Sequence, residues 1–167
     1  MKSIIITLSI VLTALTASAQ KFGHFDSQAF IQTMPDFKDA QNTLDQKAST
    51  FETQMAALNE EFQKEYQAFQ SKSATMTEKE LEEKQQELQE MYQKVQSFSQ
   101  TARESLQQDQ QTLMKPIMMR VQRAVQEVGA EGGFLYIFES KAGLTLFVSP
   151  VQSEDITPLV KKKLGIN

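Results

Sequence analysis

The chain has 167 residues, no cysteine, one histidine and a formal net charge of −4. Without cysteine there is no disulfide, no thiolate nucleophile or metal ligand, and no lipoprotein anchor. An acidic balance of mixed signs lacks the basic footprint of a nucleic-acid binder, and scarce Gly and Pro among abundant Gln, Glu, Lys, Leu and Ala favour long helices.

Met1 and Lys2 form a short positive start, an apolar run follows from Ile4 to Ala17, and Ala17-Ser18-Ala19 is an A-x-A cleavage pattern. This is the layout of a signal peptide over residues 1–19, cut after Ala19. The run is shorter than the roughly 20 residues a membrane-spanning helix needs. Removing Lys2 makes the mature chain slightly more acidic.

Lys21 to Phe25 suits a brief strand. Asp26 or Ser27 can cap a short helix through Met34. Pro35 then stands at a favoured first helical position, with Asp36 and Asp39 at the positive dipole end. From Phe37 an apolar residue recurs every three or four positions: Ala40, Leu44, Ala48, Phe51, Met55, Leu58, Phe62, Tyr66, Phe69. That is a single stripe along a helix roughly 50 Å long.

The stripe breaks at 71–76. Thr77 and Glu80 form a T-x-x-E capping box, with Met76 and Leu81 placed as a hydrophobic staple. A second stripe runs from Leu81 through Leu88, Met91, Val95, Phe98 and Ala102 to Val128, with Glu80–Lys84 and Glu90–Lys94 spaced for i,i+4 pairing. Pro116 should kink it. Two striped helices joined by a short turn return antiparallel.

Gly129 to Gly133 reads as a helix stop. Phe134–Phe138 and Leu144–Val148 read as two strands around a turn at 140–143. Ser153, Glu154 and Asp155 then open a last helix, Ile156 to Leu164, with Lys161, Lys162 and Lys163 at its negative end.

The expected fold is therefore mainly α, in an α+β arrangement. A helical-hairpin arm, residues 35–128 with its tip near 71–76, protrudes from a small body made of residues 20–34 and 129–167. A lone pair of strands is only marginally stable, so both chain ends must supply the body, and oligomerisation would complete its core. Body candidates are Phe22, Phe25, Phe134, Tyr136, Phe138, Leu146 and Phe147. Phe51, Met55, Phe62, Tyr66, Phe69, Met76, Met91, Tyr92 and Phe98 either fill the seam between the helices or face outward as contacts for apolar partner segments.

Chemistry that would mark an enzyme is missing. A single histidine supports neither a triad nor a zinc site, and no phosphate-cradling glycine motif occurs. The expectation is a non-enzymatic protein with no cofactor.

Several runs resemble the Skp/OmpH family of periplasmic chaperones: F-G-H-F-D-S-Q at 22–28, L-M-K-P-I-M-M-R-V-Q-R-A-V-Q-E-V at 113–128, G-G-F-L-Y-I-F-E at 132–139 and D-I-T-P-L-V-K-K-K-L at 155–164. The resemblance spans the mature chain. It implies a homotrimer whose three arms enclose a cavity and hold unfolded outer-membrane proteins without ATP, in the periplasm. The chain departs from the strongly basic best-known members. Its tip mixes Lys72 and Lys79 with Glu78, Glu80, Glu82 and Glu83, which argues against membrane or lipopolysaccharide contact there. The rival reading is a structural or adaptor coiled-coil protein of the cell envelope. If the leader is cut as its pattern implies, N-terminal sequencing of exported protein gives Gln20 first; an intact Met1 would contradict it.

Overall fold

The computed structural model describes residues 20–141, 143 and 145–166. The leader, and Ala142 and Leu144 of the expected strand pair, lie outside the described residues. The elements in chain order are β1 (Lys21–Phe25), α1 (Ser27–Thr33), α2 (Pro35–Lys72), a 3₁₀ turn (Ser73–Thr75), α3 (Glu78–Gly132), β2 (Phe134–Glu139), β3 (Ser153–Asp155) and α4 (Thr157–Leu164). They fall into two compact units. One holds the described residues up to Gln32 and from Arg120 onward, and the other is Thr33–Met119.

In the first unit β1 is the central strand of a parallel sheet with order β2-β1-β3. Gly23 pairs with Ile137 on one side and Glu154 on the other. The chain's two ends meet here, as the sequence implies. Asp26 Oδ1 accepts from the Ala29 amide at 2.8 Å and so caps α1. Glu139, at the end of β2, accepts from the Ser27 amide and hydroxyl at 3.1 and 2.5 Å. Phe25, Phe30, Val121, Ala124, Val128, Ile156 and Val160 are its buried apolar residues. Lys163 holds Glu127 and Glu131 of α3 at 3.2 and 2.6 Å, and these carboxylates hold the Lys163 ammonium above its ordinary pKa.

The expected strand pair is overturned. Phe134–Glu139 does form a strand, but it lies parallel to β1 instead of turning back on a neighbour. After it the chain folds on itself. The Thr145 amide donates to the Lys141 carbonyl at 3.4 Å and its hydroxyl to the Glu139 carbonyl at 2.6 Å, so these groups close a local turn and not a ladder. Leu146 and Phe147, expected in the body's apolar set, are 100 % and 79 % exposed in the single chain. Ser153–Asp155, expected to open the last helix, is the third strand instead. Asp155 still acts as a start signal, accepting from the Thr157 amide at 2.9 Å.

The stop of α3 comes later than the glycine cluster alone suggests. Gly129 and Gly132 remain helical, since a helical glycine costs only about 1 kcal/mol. Gly133, at φ 65°, takes the left-handed conformation that ends the helix.

The second unit pairs α2 with α3 antiparallel. Lys47 meets Asp109, Phe51 meets Phe98, Phe62 meets Tyr92 and Glu65 meets Lys84. Partner numbers fall as α2 numbers rise, which fixes the direction. The capping box forms as expected: the Thr77 amide donates to Glu80 Oε2 at 2.8 Å and the Glu80 amide to Thr77 Oγ1 at 3.4 Å. The Thr77 amide, and with it the Thr77 hydroxyl donating at 2.8 Å, holds the Glu80 carboxyl below the ordinary carboxylate pKa. The expected i,i+4 pairs do not form. Glu80 is spent on the cap, Lys84 takes Glu65 and Glu87, and Glu90 accepts from Gln86 at 3.0 Å. α3 runs through Pro116 without interruption.

Gly23 sits where β1, β2 and α4 converge. A Cβ there would lie 3.0 Å from the buried Ile156 and 3.1 Å from the Phe134 ring. Gly23→Ala should therefore destabilise the fold by about 1–2 kcal/mol through overpacking, read as a lowered midpoint in thermal denaturation; an unchanged midpoint would show that the neighbours give way.

Candidate functional site

Two surfaces, one in each unit, bring together the residues singled out in the sequence. On the helical hairpin the seam absorbs most of them. The Phe51 and Phe98 rings meet edge to face at 5.9 Å between centroids. Lys47 Nζ lies 5.6 Å from the Phe51 ring centre while it pairs with Asp109. Met55, Phe62, Phe69, Met76 and Met91 are half-buried. The spacing near 3.6 residues puts the helical ones on the face each helix gives to the other, while Met76 lies in the turn ahead of α3.

Two candidates face outward. Tyr66 and Tyr92 are 40 % and 50 % exposed. Both rings touch Phe62, at 6.1 and 6.3 Å. Phe62 thus anchors an aromatic patch that reaches from the seam to the surface of both helices. Tyr92 shows why the sequence left this open: it follows Met91 of the stripe, and one residue along a helix turns the side chain by about 100°.

On the sheet the alternation of β1 separates two faces. Gly23 and Phe25 are buried, and the Phe134 ring lies on their side, against the space beside Gly23. Phe22 lies on the other side and gathers Tyr136 and Phe138 at 6.4 and 6.2 Å. Tyr136 and Phe138 remain 60 % and 53 % exposed. Simple alternation would have placed Phe134 with Tyr136 and Phe138. The pairing shifts between Lys21 and Phe22, and this bulge turns Phe134 to the opposite face. Lys21 Nζ stands 4.0 Å over the Phe134 ring centre and 2.9 Å from Glu154.

His24 Nδ1 lies 2.9 Å from Ser153 Oγ. Beside it, burial pushes the Asp155 carboxyl up, but hydrogen bonds from Thr157 and the nearby His24 bring it below its ordinary value overall. Among the described residues no three His, Asp or Glu side chains could hold a metal ion, and no helix is long and apolar enough to cross a membrane. The chemistry on offer is contact: exposed aromatic rings on both surfaces, with a separate run of exposed apolar side chains at Leu146, Phe147 and Val151.

Phe51→Ala and Phe98→Ala should be coupled by about 0.5–1.5 kcal/mol in a double-mutant cycle, whereas Tyr92→Ala, at a half-exposed ring, should cost less stability than Phe98→Ala. Urea denaturation measures both, and additive effects at 51 and 98 would place those rings outside a shared seam.

No curated protein matches the chain by sequence. A solved structure of an OmpH-like protein from Caulobacter crescentus CB15, described as a candidate outer membrane chaperone, superposes with a TM-score of 0.74. It covers 87 % of this chain and 83 % of its own, at 16 % identity, which establishes a shared fold. A family model matches residues 21–164, from the first strand to the end of the last helix, and the chain belongs to that family, the outer membrane protein (OmpH-like) family.

Proposed function

We propose that the protein is a periplasmic chaperone, a holdase that keeps unfolded outer-membrane β-barrel proteins from aggregating and needs no nucleotide. The family match over residues 21–164 carries this reading. The signal-peptide pattern at 1–19 supports export. The working unit is a homotrimer. A cluster of aromatic side chains, the exposed Tyr136 and Phe138 around the half-buried Phe22, is the kind of surface a partner subunit covers.

Holding is passive. A protein that binds unfolded chains withdraws them from aggregation by mass action. Single contacts at Tyr66, Tyr92 and the half-buried rings of the seam are weak. Three arms on one trimer raise the effective concentration of the next contact, so avidity can exceed single-arm affinity by about 10²–10⁴. The acidic balance leaves little Coulombic attraction for acidic clients. Apolar contact is poorly screened by salt, so binding depends only weakly on ionic strength.

The test is dilution of a urea-unfolded outer-membrane β-barrel into buffer with the purified protein, followed by light scattering and sedimentation velocity. Suppressed aggregation at near-stoichiometric ratio, a trimer-sized particle and no effect of ATP are expected. Tyr136→Asp with Phe138→Asp should yield monomers that protect far less. An unprotected client would favour an envelope spacer, and a requirement for ATP would end the holdase reading.

A further inference from the structure

Ser153, Glu154 and Asp155 bring no apolar side chain to the sheet, yet they alone pair with one edge of β1. A strand of three residues makes few ladder bonds, so the side-chain pairs on its two faces decide how firmly it stays. On the side that carries Gly23, Lys21 Nζ holds Glu154 at 2.9 Å. On the opposite side His24 stands directly across from Asp155, and its Nδ1 lies 2.9 Å from Ser153 Oγ. The next amide, that of Ile156, donates to the His24 carbonyl at 3.1 Å.

The surroundings of His24 are simple. On its face of the sheet stand Phe22 of β1, Tyr136 and Phe138 of β2, and Ser153 and Asp155 of β3. Asp155 is the one charged side chain among them. Lys21 and Glu154 pair on the other side, and Glu139 is taken up by Ser27. The helices also approach from the other side. There Ile156, which leads into α4, lies beside Gly23, and Gly129 of α3 lies beside Ile137. One imidazole and one carboxylate therefore set the charge on this face.

We infer that His24 and Asp155 form a proton-operated clasp that sets how firmly β3 stays on β1. The clasp does not depend on the holdase reading. Imidazole ordinarily changes charge between about pH 5 and 8, and His24 is the chain's single histidine. Protonated, it is a cation across from the Asp155 carboxylate, and opposite charges directly across a strand pair attract. Deprotonated, it keeps its bond to Ser153 and loses that attraction. Asp155 keeps its negative charge well into acid. Burial pushes its carboxyl up, but hydrogen bonds from Thr157 and the nearby His24 bring it below its ordinary value overall. A carboxyl held down in this way stabilises the fold above the ordinary carboxylate range, and that contribution is lost as pH falls through the lowered value. The clasp is thus tightest where both groups are charged, at about pH 5–6, and loosens toward pH 8 and again in strong acid. β3 is also the root of the segment that carries the exposed Leu146, Phe147 and Val151. When β3 lifts, that segment gains reach and an edge of β1 lies open to another strand.

Hydrogen exchange on the mature chain, read amide by amide and corrected for the intrinsic pH dependence of exchange, tests the clasp. The Ile156 amide should be protected about threefold more at pH 5.5 than at pH 8, the scale of one exposed ion pair. The Ser140 amide, which donates to the Phe25 carbonyl at 3.0 Å and so ties the β2 end to β1, should show no such change. His24→Gln keeps a hydrogen-bonding group for Ser153 without the charge. Asp155→Asn keeps an acceptor for the Thr157 amide. Each should abolish the pH response of the Ile156 amide. Equal protection of that amide at the two pH values in the wild type, or a wild-type response in either variant, would overturn the inference. So would a parallel change at Ser140, which would mark loosening of the whole sheet and not of β3.

Discussion

The pairing of β1 on both of its edges is the constraint from which the body follows. Five residues at the start of the described chain cannot form a sheet with their neighbours in sequence, because α1 begins directly after Asp26. Their partners, β2 and β3, arrive only after the two long helices have been made. Parallel pairing requires such a crossover; here it is the whole of α2 and α3. The central strand must also approach α4 and Phe134 closely, and Gly23 makes room for that. The cap that Glu139 places on α1 and the bond from the Ser140 amide to the Phe25 carbonyl tie the same two ends together. Non-local contacts of this kind make folding depend on late closure of the chain.

The hairpin rests on a different economy. Its contacts are apolar along the seam and ionic beside it. Lys47–Asp109 and Lys84–Glu65 are more than a third open to water or close to it, so they add little to stability and serve mainly to fix which residues face each other. The side chains of Phe51 and Phe98 are used up in holding the helices. Tyr66 and Tyr92 keep outer edges that the seam does not cover.

Much of this was written in the sequence. The helices, their turn and the capping box were legible because each signal is local: a period near 3.6, a run of small polar residues, and two side chains three positions apart. The meeting of the chain ends was legible because strands at either end have no partner nearby. The strand pair at 134–148 was misread because an apolar run states only that a segment can be a strand, and which edge it joins is decided by hydrogen-bonding groups far away in sequence. The described residues 145–148 join no strand, while Ser153–Asp155, polar throughout, found the free edge of β1. Alternation alone could not place Phe134, because the bulge between Lys21 and Phe22 inverts the face of what lies beyond it. The choice between seam and surface for Tyr92 turned on about 100° of helix rotation. The chain's periodicities thus set what each segment could become; long-range pairing, one bulge and the rotation along each helix decided which side chains were buried and which stayed exposed.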